Sequence, residues 1–226
     1  MILLVAIWIP LEILGCQRLV DVYHCRGSFF AALREEGVEP HGRLEVRISM
    51  TLQFRIADHG DFDGIWAVLM DGKAALGRLG IDQWQGAYPT QQIVRDDIEA
   101  GHSYVLEEDG VVVATTVIGF TGEPVYDAIE GAWLTDSDSR DPRYAVLHRV
   151  AVAQGHAGKG LGRKLLQSAE PVACQHGCES LRIETHPGNI PMLKLIERCG
   201  FTRCGIVHIS HAEGASTDRV AFEKVL

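Results

Sequence analysis

The sequence is short of positive charge, of long apolar runs and of paired cysteines, and each shortage closes off a class of function. It carries 21 Lys and Arg against 30 Asp and Glu, a formal net charge of −9 over 226 residues. A general nucleic-acid binder needs a basic surface that displaces counterions, so the balance argues against that class. The six cysteines, Cys16, Cys25, Cys174, Cys178, Cys199 and Cys204, form no C-x-x-C pair. A zinc site wants tighter pairs with histidine partners. Scattered reduced thiols, no metal and a cytoplasmic location are therefore expected. There is no internal repeat and no low-complexity tract.

The first fifteen residues, "MILLVAIWIPLEILG", are apolar apart from Glu12. They fall short of the ~20 apolar residues of a transmembrane helix. They also lack the basic opening of a secretory signal, so no membrane partner is expected. "ILGC", ending at Cys16, looks like a bacterial lipoprotein cleavage box, but Pro10, Glu12 and the missing basic region count against it. A second methionine, Met50, stands immediately before a segment that begins like a domain, whereas residues 17–49 have no clean period. The expectation is an N-terminal extension over 1–49, with a native start at Met50, and one domain over 50–226.

What is present is a globular composition, 46% hydrophobic and 23% charged. Leu52 to Ile56 reads as a short strand. Phe62, Ile65, Trp66, Leu69 and Met70 recur at helical spacing after Asp61. A turn at Gly80 and a loop from Trp84 to Pro89 lead to a second helix, with Thr90 as its N-cap and its end near Gly101. "EDG" (108–110) separates two β-rich runs, a hairpin signal. A loop with Trp133 precedes the strand "YAVLHRVAV". Leu161, Leu165, Ala169 and Val172 mark one face of a further helix with Gly177 as its C-cap. "SLRIETH" is a strand, a helix runs from Asn189 as N-cap to Gly200, and two strands finish the chain. The order β-α-α-β-β-β-(Gly loop)-α-β-α-β-β is mixed α/β with a crossover helix between parallel strands.

Chemistry concentrates in "RVAVAQGHAGKGLGRKLL" (149–166). A glycine-rich turn from a strand into a helix N-terminus offers unpaired N–H groups and the positive end of the helix dipole to an anion. From Val150 to Ala169 there is no Asp or Glu, whereas Lys159, Arg163 and Lys164 cluster there. Two familiar phosphate motifs fail on a required residue. A P-loop starting at Gly155 needs Lys where Leu161 stands, and a dinucleotide fingerprint from Gly158 needs Gly where Arg163 stands. The plain alternative is a tight turn with solvated charges.

With "LRIETHPGNIPMLKLIERCGF" following about twenty residues on, this stretch resembles the GCN5-related N-acetyltransferase (GNAT) superfamily over roughly 50–226. The resemblance implies a mixed, twisted sheet flanked by helices, whose central strands splay to admit acetyl-CoA as cosubstrate. It implies a pyrophosphate site at Ala157, Gly158, Lys159, Gly160, Leu161, Gly162 and Arg163. Ala157 stands where the family motif [RQ]xxGx[GA] has Arg or Gln. The resemblance further implies that the Val150 and Val152 amides hold the pantetheine arm and the thioester carbonyl, and that Asn189 touches the arm. His148 is the candidate general base, with Val146, Val150 and Val152 expected on its strand face; Glu184 and His186 are its rivals. The family's tyrosine acid is replaced by Ile196. Trp84, Tyr88, Trp133 and Tyr144 are candidate walls for the acceptor, since aromatic faces hold alkylammonium groups. The implied function is acetyl transfer from acetyl-CoA to a primary amine of a small molecule or peptide. A non-catalytic acyl-CoA-binding sensor or interaction module is the alternative, and a homodimer stays open.

Overall fold

In a computed structural model, contacts divide the chain into two units, Met1–Met50 and Thr51–Leu226. Residues 51–209 and 217–226 are described in full. In the first unit only three strand backbones are described: β1 (Val5–Ala6), β2 (Val20–Cys25) and β3 (Ser28–Leu33), paired antiparallel in that order. The Cys16 cleavage box and the Met50 start lie outside the described residues.

The second unit opens with β4 (Leu52–Ile56) and a 3-10 turn capped by Asp58, which runs into α1 (Phe62–Arg78). Thr90 Oγ1 accepts from the Ile93 N–H and caps α2 (Gln91–Glu99). β5 (Ser103–Glu108) and β6 (Val111–Gly119) form the hairpin that "EDG" announced. Asp109 and Gly110 both sit at positive φ, 51° and 83°, as a two-residue type I′ turn requires. A 3-10 turn at Pro124–Ala128 and the short strand β7 (Glu130–Gly131) precede β8 (Tyr144–Val152). Then come α3 (Leu161–Gln175), β9 (Ser180–Thr185), α4 (Ile190–Arg198), β10 (Thr202–His208) and β11 (Asp218–Val225).

These strands make one eight-stranded sheet in the order β4-β5-β6-β8-β9-β11-β10-β7. All neighbours are antiparallel except β8 and β9, which α3 joins as a crossover. Helices cover both faces. Leu166, Ala169 and Ala173 of α3 and Ile196 of α4 bury against Ala145, Leu147, Leu181, Ile183 and Phe222. On the opposite face Ile65, Val68 and Leu69 of α1 and Val94 and Ile98 of α2 bury against Val105 and Ala151. The mixed, helix-flanked sheet is thus the fold class read from the sequence.

β7 was not legible in the sequence, where this stretch reads as loop. It docks on β10 because two glycines face each other: a Cβ on Gly205 would lie 2.2 Å from the Glu130 carbonyl oxygen, and one on Gly131 would lie 2.1 Å from that of Cys204.

Candidate active site

β8 and β9 are paired over three rungs only, Tyr144 with Ser180, Ala145 with Leu181 and Val146 with Arg182. Beyond Val146 the strands part, which leaves one edge of β8 without a ladder. Alternation along each strand puts Val146, Arg182 and then His148 and Glu184 on the face that carries Tyr126 and Tyr144. His148 and Glu184 are therefore the first same-face residues past the last rung, one on each lip of the fork.

A bulge in β8 sits at this point. Thr115 to Val117 of β6 spans the same rungs as His148 to Ala151 of β8, one residue more, and Arg149 takes φ 50°. The extra residue reverses the alternation. Val150 and Val152 pack with Leu161 and Leu165 on the α3 side, while His148 stays with Val146 on the other. The expectation that His148 shares a face with Val150 and Val152 is thereby corrected: it holds for Val146 alone. Ala153 donates its N–H to Val113 of β6, so by alternation the Val152 and Val150 amides point at the open edge.

Polar groups converge at the mouth of the fork. His148 Nε2 lies 2.9 Å from Glu123 Oε1. Burial pushes the Glu184 carboxyl up to about 7, against the pull of the His148, Arg219 and Arg149 charges and with a push from Glu123. Arg149 bridges two neighbours: Nη1 donates to the Tyr88 hydroxyl at 2.6 Å and Nη2 to Asp97 Oδ1 at 2.7 Å. Burial raises the Asp97 carboxyl despite this contact. Sequence reasoning missed Glu123, Asp97 and Arg149, which lie on three separate segments and join only through the sheet.

The glycine loop follows β8 through a 3-10 turn at Gln154–His156. Gly158 and Gly160 take φ 78° and 82°, and a Cβ built on either would meet nothing within 4 Å. The cradle is open on the side where an anion approaches. The Lys159 N–H is spent on the His156 carbonyl, and that of Lys164 on Gly160. Among the described residues the N–H groups of Gly158, Gly160, Leu161, Gly162 and Arg163 have no such acceptor, so the donor set differs from an unbroken run by Lys159. The Ala157 N–H bonds Gln154, and its exposed methyl supplies no side-chain contact. Gly162 has a packing reason too, since a Cβ there would lie 2.9 Å from Leu195 Cδ2. The pattern fits a pyrophosphate: free amides, two left-handed glycines and the start of α3.

The other expected residues divide. Trp84 and Tyr88 lie beside the fork, their rings 6.3 Å apart. Trp133 and Tyr144 do not offer open walls. The Arg182 guanidinium lies between their rings, 4.2 and 3.8 Å from the centroids, and Tyr144 is wholly buried. Arg182 in turn pairs with Glu223 at 2.9 Å, both side chains fully buried. These aromatic faces already hold a cation, and the acceptor-wall reading of them is corrected on that ground. His186 has its ring nitrogens occupied, Nδ1 by the Gly188 N–H at 2.9 Å and Nε2 by Asp82 at 3.5 Å. Asn189 caps α4 through the Met192 N–H and donates to Thr185 Oγ1. Ile196 is fully buried in the core, so its position presents nothing to the fork. Among the described residues no three His, Cys, Asp or Glu side chains gather to hold a metal, and no helix is long and apolar enough to cross a membrane.

Comparison with known proteins agrees with this geometry. The family model "Acetyltransferase (GNAT) family" matches residues 76–201, more than half of the chain. The Bacillus subtilis (strain 168) protein YesJ, an uncharacterized N-acetyltransferase, is 30% identical over 116 residues, 50% of this chain and 61% of YesJ. A streptothricin acetyltransferase of Escherichia coli is 34% identical over 62 residues, 27% of this chain and 36% of that protein. The matches thus span about a third to three fifths of these curated relatives. A GNAT-family acetyltransferase structure from Streptococcus agalactiae 2603 superposes with a TM-score of 0.67 at 30% identity, covering 77% of this chain and 95% of the other. YncA of Salmonella typhimurium, solved with its cofactor acetyl-CoA, shares the fold at TM-score 0.56 and 22% identity, covering 77% of this chain and 94% of the other.

Proposed function

From the premise that the chain belongs to the GNAT family of acetyltransferases, we propose that it moves acetyl from acetyl-CoA to a primary amine of a small molecule or peptide. The observation that carries the reading is the fork between β8 and β9, with a titrating carboxyl on one lip and free backbone donors on the other. Two curated relatives named streptothricin acetyltransferase, from E. coli and from Streptomyces lavendulae, favour a small-molecule acceptor within that class.

The chemistry needs few groups. The glycine loop and the N-terminus of α3 receive the pyrophosphate on their amides, with Lys159 and Arg163 beside it. The pantetheine arm enters along the open edge of β8, where Val150 and Val152 offer N–H groups to the arm and the thioester carbonyl. A hydrogen bond to an oxygen that gains charge in the transition state is worth more there than in the ground state. The acceptor arrives as an ammonium and must lose a proton before it attacks.

We assign that proton to Glu184, not to His148. A base poised near the working pH is the most effective, and burial puts Glu184 at about 7. His148 already faces Glu123 and acts on Glu184 through its charge. The rising limb of the pH–rate profile should then follow Glu184. Glu184→Gln should lower kcat by about 100-fold or more, and the limb near neutrality should disappear. If His148→Ala removes that limb while Glu184→Gln keeps it, the assignment is reversed.

A non-catalytic acyl-CoA module is the second reading, favoured by Ala157 and by the buried Ile196. Release of CoA thiol with a panel of amines, run beside calorimetry with acetyl-CoA, separates the two. Turnover on at least one amine is expected. Tight acetyl-CoA binding with no thiol release on any amine would instead establish the module.

A further inference from the structure

Resting on the reading of the glycine loop as the acetyl-CoA pyrophosphate site, we propose that Asp71 of α1 is a positioning residue for that loop: its carboxylate holds the loop's entry, so that the free amides at the head of α3 stand ready for the anion. Asp71 Oδ2 accepts the Gln154 N–H at 2.8 Å, from 83 positions away in the chain.

The turn at the entry cannot cap itself. Gln154–His156 is one turn of 3-10 helix, and its N-cap is Ala153, whose side chain has no acceptor to offer. The first N–H groups of a helical turn have no partner inside it. The Gln154 N–H is such an orphan, and Asp71 takes it. From that fixed point a run of turn hydrogen bonds leads into the glycines. The His156 N–H donates to the Ala153 carbonyl at 2.9 Å, Ala157 to Gln154 at 3.2 Å and Lys159 to His156 at 3.3 Å. On the other side of the turn the contact is looser, with His156 Nδ1 3.4 Å from Glu108 Oε2. Gly158 and Gly160 follow at positive φ, and Gly160, the N-cap of α3, has no side-chain cap either. The direction of the free amides therefore rests on how the entry is held.

Packing explains why Asp71 reaches it. α1 comes close to β8 at Gly72, where a Cβ would lie 3.3 Å from Ala151 Cβ and 3.2 Å from Trp84 Cζ3. Two small residues, Gly72 and Ala151, thus bring the helix up to the strand that feeds the loop, and Asp71 meets Gln154 beyond its end. Lys73, one position on, is tied as well: its Nζ donates to the Gly86 carbonyl at 2.7 Å, and its carbonyl accepts from Gln85 Nε2 at 2.9 Å. The helix cannot slide along the strand without breaking these contacts.

The charge of Asp71 and its hydrogen bond act in opposite senses on acetyl-CoA. A carboxylate at the entry of an anion site repels the anion through space. Its hydrogen bond, charge-assisted and stronger than a neutral one, fixes the donors. Substitution separates the two: asparagine keeps an acceptor oxygen and loses the charge, whereas alanine loses both.

The test titrates the full chain and its Asp71→Asn and Asp71→Ala variants with acetyl-CoA by calorimetry, and follows hydrogen exchange at the His156, Ala157 and Lys159 amides. Asp71→Ala should weaken acetyl-CoA binding about 10-fold or more and speed exchange at those three amides, with β6 and β8 still protected. Asp71→Asn should bind within about twofold of wild type, or more tightly, and keep the slow exchange. An Asp71→Ala protein that binds as wild type does, or more tightly, overturns the proposal. So does an Asp71→Asn protein as weak as Asp71→Ala, or a loss of affinity with exchange at the three amides unchanged. If Asp71→Ala opens β6 and β8 as well, Asp71→Glu decides against Asp71→Asn. Glutamate keeps the charge but displaces the acceptor by a methylene, so it should bind more weakly than asparagine, and parity between them overturns the proposal. Wild type that binds no acetyl-CoA overturns the reading of the loop, and this proposal with it; binding in wild type with no loss in Asp71→Ala overturns this proposal alone.

Discussion

Glu184 shows how much of the site is a matter of one residue in its surroundings. Nothing in "RIETH" marks its glutamate as unusual; its proton affinity comes from the strands and side chains that cover it. The raised value has a consequence for stability, and the sign is definite. The folded state holds the proton more tightly than the unfolded chain, whose carboxyl titrates near its ordinary value of 4.5. Its stabilising contribution is complete below that value and is lost as pH rises through about 7. Glu184→Gln should therefore gain stability relative to wild type between pH 5 and pH 8, by on the order of 2–3 kcal/mol. Thermal melts at several pH values would show the gap widening, and a constant gap would place the carboxyl at an ordinary value. His148 was legible as a candidate for a different reason. A histidine in a mostly apolar strand stands out in one dimension, though its partner Glu123 does not.

Elements decide what those residues can reach. The glycine loop was legible because its physics is local: positive φ at Gly158 and Gly160 and free amides at the head of α3 follow from neighbours in the chain. Gly160→Glu should abolish acetyl-CoA binding in calorimetry by setting a carboxylate against the pyrophosphate. Gly160→Ala is the control, since it meets the same strain of about 1–2 kcal/mol without the charge, and should still bind. Equal loss in both would mean that backbone strain, not charge, accounts for the effect. The bulge at Arg149 was not legible. An alternation written in letters runs straight through it, and only the pairing with β6 reveals the extra residue that turns Val150 and Val152 to the other face. β7 lay beyond reach on similar grounds, because its contact is backbone against backbone between Gly131 and Gly205, 74 positions apart in the chain. Gly205→Ala should push β7 off the sheet edge and cost about 1–3 kcal/mol in denaturant melts, while leaving acetyl-CoA affinity unchanged. A loss of affinity would couple that edge to the fork.

At the scale of the whole molecule, we propose that residues 50–226 suffice for acetyl-CoA binding, since contacts separate Met1–Met50 from the remainder. A protein starting at Met50 should melt cooperatively and bind acetyl-CoA as the full chain does. A fragment that aggregates or fails to bind would assign the first segment a part in the fold. Seen at this scale, the sequence by itself determined the order of the helices and longer strands over 51–226, the crossover between the parallel strands and the glycine loop at the head of α3. Each of these depends on periodicity, capping and glycine conformation over a few neighbouring residues. Tertiary structure alone decided where β8 and β9 part, which aromatic faces are free, and which carboxyl titrates near neutrality. Trp133 and Tyr144 read as open walls until Arg182, from another strand, fills the space between them. Such properties depend on burial and on charges brought together from distant segments, and no local pattern encodes those distances.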